Sequence, residues 1–237
     1  MTRYMVGLVA AVANILIPAL AAAQTKRYVL ESAKGLQLHD VVAEAVTHQG
    51  KKGLRLQLAP GVATDQPHPP LLVRIDDVEF ANGVIEAEIA GVPAPGAGEG
   101  ARGFVGIAFR LQPDDKTYDA FYLRPTNGRA EDQERRNHAT QYISHPDWTW
   151  SRLRSETPSR YESYVDLKPD TWTKIRIEVQ GARGRLYVHG QQQPTLVVND
   201  LKSGPNKKGT VALWFEPGTV AHFRNVKVTP QDSTRVK

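Results

Sequence analysis

Val84-Ile85-Glu86-Ala87-Glu88-Ile89-Ala90 places Ile85, Ala87 and Ile89 on one face and Glu86 and Glu88 on the other. Alternation of this kind belongs to a strand with one buried side, because a helix would spread the same residues around its circumference. The rhythm recurs in both directions. Leu54, Leu56 and Leu58 alternate with Arg55 and Gln57; Val105, Ile107 and Phe109 alternate with Gly106, Ala108 and Arg110; Phe121 and Leu123 alternate with Tyr122 and Arg124. Further strands are predicted at 161–167, 172–179, 185–189, 195–198, 211–215 and 221–228, separated by turn residues such as Gly181-Ala182-Arg183-Gly184 and Gly204-Pro205-Asn206. No long amphipathic helical pattern intervenes, so the expected fold is all-β: one antiparallel two-sheet jelly-roll sandwich over residues 27–230, with a polar tail at 231–237.

Residues 1–23 read as a secretory signal peptide. Arg3 precedes an apolar run from Val6 to Leu20, and Ala21-Ala22-Ala23 supplies small residues of the kind signal peptidase accepts. Cleavage there leaves Gln24 first and a periplasmic or secreted protein. The apolar run is broken by Asn14 and Pro18 and is shorter than the roughly 20 apolar residues a spanning helix needs, so no membrane span is expected after cleavage. Arg3 is the leader's single charged side chain, and its loss takes the formal charge from +5 to +4. Acidic and basic residues are interleaved, and with export this argues against a nucleic-acid partner. The chain has no cysteine, which removes disulfides, thiolate metal sites and thiol catalysis together.

The strands also carry a resemblance. Asp77-Val78-Glu79-Phe80-Ala81-Asn82-Gly83-Val84-Ile85-Glu86-Ala87-Glu88, Gly106-Ile107-Ala108-Phe109-Arg110 and Phe121-Tyr122-Leu123-Arg124-Pro125 resemble the opening strands of concanavalin A-like domains of the laminin-G and glucanase type. Trp172-Thr173-Lys174-Ile175-Arg176-Ile177-Glu178-Val179, Leu186-Tyr187-Val188-His189-Gly190, Gly209-Thr210-Val211-Ala212-Leu213 and His222-Phe223-Arg224-Asn225-Val226-Lys227-Val228 are similar to the closing strands of the 3-keto-disaccharide hydrolase branch. The resemblance spans about 75–228 and implies a sandwich whose concave sheet receives carbohydrate. The Glu-x-Asp-x-x-Glu strand of retaining glucanases is missing, which puts that chemistry in doubt. Tyr161-Glu162-Ser163-Tyr164-Val165-Asp166 resembles a strand of the keto-sugar branch, and that resemblance points to Glu162 and Asp166 as catalytic.

Alternation puts Glu162, Tyr164 and Asp166 on one side of their strand, with the two carboxylates roughly 13 Å apart. Glycosidase pairs stand about 5–9.5 Å apart, so either would need a partner such as Glu131, Asp132, Glu134 or Glu156. Arg110, Tyr122 and Arg124 fall on the polar faces of two neighbouring strands, above a floor kept low by Gly106 and Ala108, and suit recognition of hydroxyl or carboxylate groups. Cross-strand packing is the plainer account of them. The 125–160 interval breaks the strand rhythm and is long for an irregular connection, with a short strand expected near Gln141–Ser144. It carries Asn127, Arg136, Asn137, His138, Trp148 and Trp150, donors beside indoles, as an amphipathic sugar site requires; tryptophans that fasten the loop to the sandwich are the alternative.

His138 and His145 lack zinc-motif spacing, and no calcium loop is present although oxygen ligands are plentiful, so no cofactor is expected. Neither a phosphate-binding glycine loop nor a Gly-x-Ser-x-Gly elbow occurs. Three functions stay open: a carbohydrate-recognition protein using the concave face and the 125–160 loop, a glycoside or 3-keto-glycoside hydrolase in which Glu162 or Asp166 acts with His138, and an envelope interaction module. The sequence leaves the sugar and the oligomeric state open.

Overall fold

A computed structural model describes residues 24–63 and 69–231. The leader, and all of the polar tail beyond Gln231, lie outside the described residues. Fifteen strands follow in chain order: β1 (Lys26–Tyr28), β2 (Leu36–Gln37), β3 (Val41–His48), β4 (Lys51–Leu58), β5 (Leu71–Ile75), β6 (Gly83–Pro93), β7 (Val105–Leu111), β8 (Tyr118–Leu123), β9 (Thr140–His145), β10 (Glu162–Ser163), β11 (Thr173–Gln180), β12 (Arg183–Val188), β13 (Leu196–Val198), β14 (Thr210–Phe215) and β15 (Thr219–Pro230). Two short helices, α1 (Gln133–Asn137) and α2 (Trp150–Glu156), flank β9. No helix of the described residues is long and apolar enough to cross a membrane.

The strands form two antiparallel sheets. One runs β13-β12-β11-β6-β15-β4-β3, with β1 added against β15, and the other runs β10-β9-β8-β7-β14-β5-β2. Alternation decides what lies between them. Ile85 and Ile89 of β6 pair with Ile177 and Phe223, while Ile107 of β7 pairs with Phe121 and Leu213, and all seven are fully buried. The period-two pattern therefore reads the inter-sheet core directly.

The reverse face of the seven-stranded sheet is also largely buried. One rung crosses it as Glu162, Gln141, Tyr122, Gly106, Trp214 and Leu72, each paired with the next. Tyr122 leans over Gly106 and stacks on Trp214 at 4.4 Å between ring centroids. A Cβ on Gly106 would run into the Phe121 carbonyl oxygen and lie 2.5 Å from the Tyr122 Cβ. Gly106 thus sets how closely the two rings approach, which explains a glycine in mid-strand.

Two sequence readings change and a third is extended. The strand predicted through 161–167 shrinks to Glu162–Ser163, because β10 is the edge of its sheet and pairs with β9 alone. Residues 41–48 form a full strand that the pattern did not reveal: β3 is an edge strand in which Val41 alone is buried, so little burial enforces alternation. The 125–160 interval contains the strand expected near Gln141–Ser144 as β9, and adds a 3-10 turn at Pro125–Asn127 and the helices α1 and α2.

Replacing Gly106 with alanine is expected to push Tyr122 off Trp214 at an overpacking cost of about 1–3 kcal/mol. Thermal unfolding followed by near-ultraviolet circular dichroism would read the loss. A Gly106→Ala protein with an unchanged Tm and aromatic signal would refute the close approach.

Candidate functional site

At one end of the buried rung, strands β8, β9 and β10 and helix α2 place charged groups together. Tyr122 and Gln141 are neighbours across β8 and β9, and Glu162 is the next residue across, on β10. Arg124 follows Tyr122 with one residue between, so it extends over the same face. Its guanidinium donates to Glu162 Oε1 at 2.9 Å, Gln141 Oε1 at 3.0 Å, the Tyr122 hydroxyl at 3.0 Å and the His138 carbonyl at 3.2 Å. Every donor of a buried cation needs such a partner, and here most are supplied by one sheet face.

Arg154 closes the cluster from α2. Its Nε donates to Glu162 Oε2 at 3.0 Å, and its Nη2 bonds Oε1 of the same carboxylate. Thr149 caps the helix by accepting from the Arg152 amide, and Leu153 is buried beneath it. Trp150 and Arg154, four residues apart, share a helix face, and the Arg154 guanidinium lies 4.9 Å from the Trp150 ring centroid. Trp150 keeps 46% of its surface exposed, whereas Arg124, Tyr122 and Glu162 retain 5%, 2% and 6%. The indole is the accessible platform and the sheet residues are the floor.

His138 completes the arrangement. Its Nε2 is 3.5 Å from Glu162 Oε2, and Asn127 donates to its carbonyl at 3.0 Å. Asn127 in turn accepts from Arg135 at 3.0 Å. Burial would raise the Glu162 carboxyl, but the Arg154 hydrogen bonds and the charges of Arg124, Arg154 and His138 outweigh it and hold the group below the ordinary carboxylate range. For His138, burial lowers the imidazole, the Glu162 charge opposes this, and Arg154 and Arg124 add to the lowering. The pair is therefore a fixed carboxylate beside a neutral imidazole at neutral pH. Arg102 stands close enough to feel Arg135 and Arg124, so positive charge exceeds negative around the site.

Of the residues singled out from sequence, Tyr122, Arg124, Asn127, His138, Trp150 and Glu162 come together. Arg136 and Tyr164 form a separate exposed pair, guanidinium over ring at 5.3 Å, and Asn137 accepts from Gln133 at 2.8 Å. Asp166 lies beyond the end of β10 and is held by both nitrogens of an Arg129 fork, at 2.7 and 2.9 Å. Asp132 caps α1 and Glu156 pairs with Arg152, so neither supplies a second carboxylate beside Glu162, and Glu131 is exposed. Glu134 influences His138 and Arg154 by its charge.

Two expectations need correction. Arg110 was expected beside Tyr122, but its φ of 54° breaks the alternation, and the pairing of β7 with β14 shifts register nearby. The side chain is fully buried and bonds the carbonyls of Ala81, Gly181 and Gly204 at 2.8–3.0 Å, 3.8 Å from Asp119. Trp148 also lies elsewhere: it is sandwiched by Arg152 at 3.9 Å and Lys202 at 4.5 Å and packs on the core, as a fastening residue does. Arg154 was missed. Its four-residue offset from Trp150 was the available signal, but the helix that gives that offset meaning was not predicted.

The same sheet face continues into a groove of about 750 Å³ bordered by Leu72, Arg74, Tyr118, His145 and Pro146. Fold and site together describe a concanavalin A-like sandwich with an ordered polar cluster on one sheet face. Solved structures agree on the fold. The carbohydrate binding module CBM66 from Bacillus subtilis superposes with a TM-score of 0.54 at 12% identity, covering 82% of this chain and 95% of its own. The Bacillus licheniformis beta-glucanase gives 0.51 at 13%, covering 90% and 100%, and a native glycosidic hydrolase gives 0.55 at 12%, covering 90% and 99%. At such identities the likeness is one of fold. Residues 48–229 match the 3-keto-alpha-glucoside-1,2-lyase-like domain, and the chain belongs to that family. No curated protein matches its sequence.

Glu162→Gln leaves Arg124 buried beside a neutral amide, and the expected cost is about 3 kcal/mol, the lower end for a broken buried pair because Arg154 can turn to solvent. A carboxyl whose folded pKa is depressed contributes stability above its unfolded pKa of about 4.3, and loses it as pH falls through the lower folded value. Denaturant unfolding should therefore show a gap between wild type and variant that is constant at neutral pH and narrows only in acid below that range. A gap that closes near neutrality would contradict the assignment.

Proposed function

We propose that the protein is an exported carbohydrate-recognition protein that receives a glycoside on the outer face of the seven-stranded sheet. The observation that carries this reading is the exposed Trp150 indole set beside Arg154 and His138 over a fully hydrogen-bonded floor. A pyranose stacks its apolar face on the indole while its hydroxyls meet the guanidinium and imidazole. Arg124, Tyr122 and Glu162 are positioning residues in this reading, because too little of their surface is open for a ligand to touch. The 750 Å³ groove on the same face gives room for further sugar units. The leader supports a periplasmic or secreted setting.

His138 favours a second, catalytic reading. The family description names a 1,2-lyase acting on 3-keto-glucosides. In such a substrate the ketone at C3 acidifies the C2–H bond, and elimination moves that proton to a base, forms the C1–C2 double bond and breaks the C1–O bond, whose oxygen takes up a proton. His138 is neutral and oriented by a carboxylate, as a base must be. The surplus guanidinium charge suits an enolate. Glu162 serves poorly as a proton carrier, since two arginines hold it ionised.

The test pairs binding with turnover. Mature wild type, Trp150→Ala and His138→Gln proteins are titrated with glucosides and their 3-keto derivatives while product formation is followed. Trp150→Ala should weaken binding by about 1–3 kcal/mol, as the loss of one stacking ring does. Turnover that disappears in His138→Gln with binding kept would establish the catalytic reading. Binding without turnover in any protein would leave recognition alone, and absence of both would overturn the proposal.

A further inference from the structure

The opposite side of the sandwich holds a second cluster that the sugar site does not use. His48 ends β3, Asp170 lies in the turn before β11, and His222 sits in β15. His222 precedes the core residue Phe223, so it points outward from the eight-stranded sheet, yet it is only 5% exposed because other rings cover it. His48 stacks on it at 4.0 Å, and Trp172 packs edge-on against both. One ligand atom from each of His48, Asp170 and His222 lies within 4.8 Å of the others.

Two features distinguish this cluster from ordinary packing. His222 Nδ1 is buried and has no hydrogen-bond partner, an arrangement that costs free energy unless something fills it. His48 Nε2 stands 3.4 Å from the Asp170 carboxylate. Two ligands bound to one tetrahedral zinc ion at about 2.0–2.2 Å stand roughly 3.3 Å apart, so that spacing is already right. Arg55, paired with His222 across β4, opposes a cation, but its guanidinium is engaged by Glu44. Trp172 donates to the His48 carbonyl at 2.9 Å and fixes that residue's backbone.

We propose that His48, Asp170 and His222 form a site for a divalent transition-metal ion of the zinc class, with water completing the coordination. Two imidazoles and one carboxylate select such an ion over calcium, which prefers oxygen ligands throughout. His48 Nε2 also lies 2.9 Å from the Asp170 carbonyl oxygen. The ion would tie together three segments far apart in sequence, on the face remote from Trp150. Its role is to stabilise the sandwich rather than to act on the sugar.

The experiment uses untagged mature protein, since a polyhistidine tag would itself bind the metal. After chelator treatment it is titrated calorimetrically with zinc chloride and, separately, with calcium chloride, and cobalt(II) uptake is followed by visible absorption. One equivalent of zinc, a higher Tm and a cobalt spectrum of a nitrogen–oxygen site are expected. His48→Gln and Asp170→Asn, both at partly exposed positions, should each weaken zinc by about 10-fold or more, since even outer partners of metal ligands cost that much. Absence of saturable zinc binding, wild-type affinity in both variants, or a preference for calcium would overturn the assignment.

Discussion

The Arg124–Glu162 pair is the constraint around which the sheet face is arranged. A carboxylate with almost no exposed surface must find cations, and it finds them on two different elements: Arg124 at the end of β8 and Arg154 on α2. The charge pair therefore locates the helix. Once α2 is held there, Trp150 is placed over the floor with its ring partly open, and the His138 backbone is gripped by Arg124 and Asn127. Removing the carboxylate would take from Arg124 and Arg154 the group they share, while the β9–β10 pairing and buried Leu153 still hold the sheet edge and the helix.

The floor depends on close packing as much as on charge. Gly106 lets Tyr122 lie flat across β7 and meet Trp214, whose indole nitrogen donates to the Tyr118 hydroxyl at 3.2 Å. Aromatic contact fills the middle of the face, leaving polar chemistry at one end and the groove at the other. At the chain's bends a different polar group does comparable work: Arg110, turned inward by its left-handed backbone, gathers carbonyls from three loops while Tyr142 and Ser203 donate to Asp119. Buried arginines thus serve two purposes in one fold, loop fastening and site support, and alternation alone does not distinguish them.

The two faces of the molecule also divide their chemistry. The seven-stranded sheet carries an arginine-rich surface suited to hydroxyls or a developing enolate, whereas the outer face of the eight-stranded sheet gathers two imidazoles and a carboxylate under an indole.

Sequence by itself determined the all-β class, the inward residues of strands such as β6, β7 and β8, and the pairing of a tyrosine and an arginine above a low floor. It could do so because burial on one side of a strand writes a period of two into the chain. Only the tertiary structure decided that Arg110 turns inward, that Trp148 fastens while Trp150 stays open, that Arg154 joins Glu162, and that His48 meets His222. Those outcomes depend on a single backbone dihedral, on two short helices with too few residues to show a period, and on contacts between segments more than a hundred residues apart, none of which local pattern encodes.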